Sequence, residues 1–234
     1  MKPLQYLFRS FLIIGLAFFF SCCSSDEFVL TEKNSTLTQR QNLVNPFDKT
    51  GVLYKQLFDA YQLIPSDSIF SINQIILEVE QTAAQIAGFS EIQDTYTPID
   101  SLIIENIIYD QSFTVEDYIL NSELSGTAQN LFLLLLDNTA NNTKDEVYNV
   151  LVNFEQSVIQ HSNLSDLDKE IMLTSCSILR YNLDNGGDTD WDDDKNGIIK
   201  STLVGMQENT AKAIIMAVVV QVAVQQQVAI DLQN

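Results

Sequence analysis

The residues whose types and spacing could do chemistry are few, and most lie in one stretch. It reads Asp184-Asn-Gly-Gly-Asp188-Thr-Asp190-Trp-Asp192-Asp-Asp194-Lys-Asn196-Gly197. Carboxylates at every second position of a Gly-containing loop converge on one side of the backbone. They repel one another unless a cation sits among them, and hard oxygen ligands of this kind suit Ca²⁺. The expectation is a structural calcium site on Asp192, Asp194 and Asn196, with Asp188 and Asp190 as additional ligands. The plainer alternative is a solvated acidic turn between two helices. His161 is the only histidine, which excludes mechanisms that need a His pair or a His-rich metal site. It follows Val158 and Ile159 near an expected helix end, where a half-exposed capping role suits it. Cys176 sits among Leu173, Ile178 and Leu179 and reads as a buried small hydrophobe rather than a nucleophile.

The register Asp192, Asp194, Asn196, Gly197, with Ile199 two beyond the glycine, resembles the first eight positions of the EF-hand calcium loop. In that motif positions 1, 3 and 5 are side-chain ligands and the glycine permits a sharp turn. The chain departs from the motif afterwards. Position 9 falls on Lys200, and position 12, where the family carries a bidentate Glu, falls on Leu203. The resemblance therefore implies weak binding unless Glu208 or another acid completes the shell.

The N-terminus gives an address. Lys2 and Arg9 precede a ten-residue apolar run, residues 11–20, too short for the ~20 residues that span a bilayer. The run ends in Ser21-Cys22-Cys23. A small residue followed at once by cysteine resembles the lipobox of bacterial lipoproteins, and the bulky Phe19 and Phe20 resemble its looser Bacteroidetes form. The resemblance implies acylation of Cys22 (Cys23 is the alternative) and removal of residues 1–21. Several acyl chains at ~0.8 kcal/mol per buried CH₂ make a stable anchor where one would not. Ser24-Ser25-Asp26-Glu27 is similar to the acidic signal that exports such lipoproteins to the cell surface. The expected location is the outer membrane, on the cell-surface face, with the periplasmic face as the alternative.

These groups have to be positioned by elements that the pattern makes helical. The 234 residues contain only eight Gly and four Pro, and 46% are hydrophobic, which is enough for one mid-sized core without staples. Residues 22–46 read as the lipidated cysteine and a flexible polar tether, and 47–234 as a helical domain. Asp48 or Thr50 opens the first helix. Ser71 caps a helix whose apolar face runs from Ile72 to Ala87 and stops at Gly88. Pro98 fits the first turn of a helix carrying Leu102, Ile103 and Ile107. Residues 131–136 read as a fully buried core helix. Thr143-Lys-Asp-Glu146 is a capping box, and Ser165-Asp-Leu-Asp168 opens the next helix. The uncharged segment 213–224 reads as a buried central helix rather than a membrane span, with Gly205, Ala211, Ala213 and Ala217 allowing close packing. The expected fold is all-α, a compact helical bundle of about six to eight helices behind a lipid-anchored tether.

Twelve Lys+Arg against 31 Asp+Glu give a formal charge of -19, which opposes binding to nucleic-acid backbones and anionic lipid heads. The nucleophile-elbow, zinc-protease, phosphate-loop and Cys-x-x-Cys signatures are missing. The chain as a whole resembles small Bacteroidetes lipoproteins, including its Asn45-Pro46-Phe47-Asp48 opening, and the resemblance implies a location rather than a mechanism. The function expected is that of a lipid-anchored envelope or surface protein that acts by binding or structure, on a protein or glycan partner. The alternative is a hydrolase-type enzyme whose site is assembled from dispersed carboxylates. A pocket lined by converging acids away from residues 184–196 would favour the enzyme.

Overall fold

The computed structural model describes residues 40–64, 71–92, 97–140, 142–185 and 191–231. Among them it is all-helical, with ten helices, no strand and 74% helix. The helices are α1 (Asp48–Gln62), α2 (Ile72–Ala83), α3 (Ala87–Ser90), α4 (Ser101–Tyr109), α5 (Val115–Leu120), α6 (Gly126–Thr139), α7 (Lys144–Gln160), α8 (Asp166–Asn182), α9 (Trp191–Met206) and α10 (Thr210–Asp231). The β-branched clusters at 103–108 and 218–224 are helical, because burial of their faces outweighs a weak local preference for strand.

Two helices form the centre. Every residue from Ala211 to Ala223 in α10 is buried, as is every residue from Ile171 to Leu183 around α8. The first packs on α9, α1, α2 and α4, and the second on α1, α9 and α7. Close approach of α9 and α10 depends on small residues. A Cβ added to Gly205 would lie 2.3 Å from Ala213 Cα. No helix among the described residues is long and apolar enough to cross a membrane.

The capping signals are used as written. Ser71, Thr143 and Ser165 each close a capping box with Gln74, Glu146 and Asp168. Asp168 does more, accepting from Ser125 N at 2.8 Å and from Ser125 Oγ at 2.9 Å. One buried carboxylate thus ties together the N-termini of α6 and α8. Burial works against its charge, but the hydrogen bonds from Ser125 and Ser165 prevail and hold its pKa below the usual value.

Several boundaries differ from expectation. The helix after Ser71 stops at Ala83, and Ala87 and Gly88 belong to the separate turn α3. Pro98 lies ahead of α4, which is capped instead by Asp100 accepting from Leu102 N. Residues 131–136 are helical but not buried all round, since Leu134 is 53% exposed on the outer side of α6.

The start of the domain also moves. Residues 1–39, with Cys22, Cys23 and most of the expected tether, lie outside the described residues, but residues 40–46 are part of a compact unit that begins at Arg40. Arg40 and Asn45 are buried. Asn45 Nδ2 donates to Glu155 Oε1 at 2.7 Å and to Leu173 O at 3.0 Å, and Arg40 pairs with Asp184 at 2.7 Å. Polar residues that looked solvated are used for buried hydrogen bonds. Their hub is Arg180, fully buried, which donates from Nε to Glu155 Oε1 at 3.0 Å, from Nη2 to Asp48 Oδ1 and from Nη1 to Arg40 O. Burial pushes the Glu155 carboxyl above its ordinary pKa even beside Arg180.

Candidate functional site

From Trp191 onward the expected chemistry meets a helical backbone. Asp188, Asp190 and the side chains of Asp192 and Asp194 lie outside the described residues. The backbone from Trp191 onward is α9, however, so 192, 194 and 196 are not successive positions of a loop. On a helix 192 and 196, at i and i+4, share a face, but 194 lies about 200° around the axis from 192, so the three do not converge as they would in a loop. The EF-hand resemblance implies a loop over 192–199, and the backbone there is helix. Carboxylates in the first turn of a helix have a plainer role, against the positive end of its dipole. Asp184 is spent on Arg40, and Asn196 is half-buried, facing a cleft. Glu208 binds Lys212 and Thr97 Oγ1. Among the described residues no group of three or more His, Cys, Asp or Glu is placed to hold a metal.

That cleft is a concavity among the described residues. Its volume is about 740 Å³, and a second hollow of about 350 Å³ adjoins it, both sharing Asp110 and Phe113. Volumes of roughly 300–1,000 Å³ are those of small-molecule sites. The floor is one face of α9: Asn196, Gly197 and Lys200 line the larger hollow, and Leu203, Val204 and Gln207 the smaller. These positions follow a helical stripe of i, i+4, i+7 and i+11, about 16 Å long at 1.5 Å per residue. One wall is α10 through Val220, Val224 and Gln227, again at helical spacing. The other wall is the end of α4, the start of α5 and the elbow between them, residues 110–114.

Local chemistry makes the elbow. Asp110 Oδ1 accepts from Ser112 N at 2.9 Å and from Ser112 Oγ at 2.5 Å, closing an Asx-type turn. Thr114 then caps α5 in a capping box with Asp117. Lys200 pins the elbow to α9, donating from Nζ to Phe113 O at 2.8 Å and lying 5.2 Å from the Tyr118 ring centroid. The Phe113 and Tyr118 rings meet edge to face at 6.2 Å. Gly197 lets the floor close, because a Cβ there would sit 2.9 Å from Val220 Cγ1.

The charges of the cleft are distinct from those of the core. Hydrogen bonds from Ser112 hold the Asp110 carboxyl below its usual pKa. Desolvation pulls Lys200 below the usual lysine value, partly offset by Asp110, Glu116 and Asp117. Two acids and one lysine line the larger hollow, together with Ile107, Val115, Val220 and Val224 as apolar surface.

The remaining expected residues take plain places. His161 is the half-buried C-cap of α7, its Nδ1 accepting from Asn163 N at 3.3 Å. Cys176 is buried and free, and burial, reinforced by Glu155, pushes its thiol pKa far up. Sequence reasoning missed Lys200, read as position 9 of a calcium loop, and missed the elbow. Asp110-x-Ser112 followed by Thr114-x-x-Asp117 was the signal available for the latter. No protein-family model matches the chain, and neither a curated protein nor a solved structure is significantly similar to it.

Proposed function

We propose that the chain is a lipid-anchored envelope protein, held at the outer membrane through Cys22, whose helical domain acts by binding a small ligand in the cleft between the 110–114 elbow, α9 and α10. The observation that carries the reading is the cleft itself: a sizeable, half-open concavity lined by both apolar and polar side chains, on a frame of buried helices. Asp110 and Glu116 do line a cleft away from residues 184–196, as the enzyme alternative requires, yet Asp110 is not poised for proton transfer. The Asp110 carboxyl is held in its ionised form by Ser112, which suits a fixed charge and not a proton donor. The carboxyl with a raised pKa, Glu155, is fully buried in the Arg180 network.

Two measurements test the reading. A fatty-acid probe should label the wild-type chain in cells and fail to label Cys22→Ala; label retained in a Cys22→Ala, Cys23→Ala double variant removes the anchor. For the cleft, a fragment library should raise the melting temperature of the detergent-solubilised full chain for a subset of compounds. Val224→Trp, which puts a bulky ring into the larger hollow, should abolish those shifts. Shifts that persist in Val224→Trp place binding elsewhere.

A further inference from the structure

We infer that the cleft selects an organic cation, an ammonium group carried on an apolar or aromatic body. The inference rests on the binding reading above and names the ligand chemistry of the same site. Asp110 and Glu116 line the larger hollow, and Asp117 lines the hollow beside it. They sit on a chain of formal charge -19, whose field concentrates cations and repels anions. Tyr109 and Phe113 also line the larger hollow and are 54% and 49% exposed. Large aromatics left this open offer π faces that attract a desolvated cation, best of all a quaternary ammonium. The apolar wall takes the body of the ligand, and the acids and rings take its head.

Lys200 is the group that opposes this, and its geometry shows why it does not decide the charge of the ligand. Its ammonium donates to Phe113 O and lies over the Tyr118 ring, so it is occupied in holding the elbow. Desolvation further weakens its hold on the proton. Asp110, Glu116 and Asp117 together outnumber it.

The test is a charge series on one body: benzyltrimethylammonium, benzyl alcohol and phenylacetate, titrated into the full chain in nonionic detergent and read by saturation-transfer NMR. The expected order is cation over neutral over anion, with at least about tenfold between the ends. Asp110→Asn keeps the acceptor for Ser112, and with Glu116→Gln it should weaken the cation about five- to tenfold. Lys200→Gln keeps a donor for Phe113 O and should tighten it. Phenylacetate bound best, with binding lost in Lys200→Gln, overturns the inference by making the lysine the recognition group. Equal binding of all three probes overturns it too. If none of the three binds while fragments still give shifts sensitive to Val224→Trp, the cation inference alone falls. If those shifts are also missing, the binding reading falls with it.

Discussion

Arg180 and Asp168 show how single charged residues hold this fold, and they do it in different ways. Arg180 reaches Asp48 across 132 positions of sequence and Glu155 across 25, with no exposure of its own side chain. Removing it strands two buried carboxylates. Arg180→Met should therefore cost about 3–5 kcal/mol in denaturant unfolding. A cost below about 1 kcal/mol would mean that water reaches the network. Asp168 is a cap with its pKa depressed, so its stabilisation is present above the ordinary aspartate value of 3.8 and fades as pH falls through the folded value. Asp168→Asn should cost about 1–3 kcal/mol near neutrality, with the gap to wild type closing below pH 3.8. Glu155 has the opposite sign: its pKa is raised, so its charge weighs on the native state as pH rises through that value. The cap was legible in Ser165-x-x-Asp168. The role of Arg180 was not, because its partners are remote in sequence, although an arginine between Leu179 and Tyr181 in an apolar helix needs some buried partner.

Helices were legible where the sequence carries both ends of the signal. Ser71, Thr143 and Ser165 each begin a helix with its own box, and an apolar face at helical spacing follows. Where a helix ends and which side of it is exposed were less legible: Ile86 and Ala87 fall beyond the end of α2 and Leu134 is exposed, since a helix stops wherever packing stops supporting it. Glycines separate the two demands on an element. Gly205→Val drives a side chain into the α10 backbone at 2.3 Å and should destabilise the chain by about 3 kcal/mol or more, read as lost melting temperature. Gly126, at the first position of α6, meets nothing within 4 Å, so Gly126→Ala should stabilise by about 0.5–1 kcal/mol. The acidic stretch is a related case. Alternate carboxylates converge only in extended or looped backbone, and α9 begins at Trp191. Tb³⁺ at millimolar concentration should then give no emission sensitised by Trp191. Saturable emission that Ca²⁺ displaces and Asp192→Ala, Asp194→Ala removes would show that the ligands converge after all.

At the scale of the whole molecule, the cleft assembles three segments that are far apart in sequence: 107–116, 196–200 and 220–227. Apart from Asn196 and Gly197 in the EF-hand-like register, none of them carries a motif for a ligand, and their shared surface exists only once α9 and α10 pack. The all-α bundle could be read from periodicity and caps; the place where it opens could not. The same packing that buries α10 leaves α9 a free stripe beneath the elbow, so the site and the core are two sides of one helix pair. A ligand taken there by an anchored domain should be traceable directly. Photoreactive diazirine fragments irradiated with the full chain in detergent should leave adducts concentrated on residues 107–116, 196–200 and 220–227, and Val224→Trp should remove them. Adducts spread over exposed leucines such as Leu43 and Leu63, or unchanged by Val224→Trp, would contradict the cleft as the binding site.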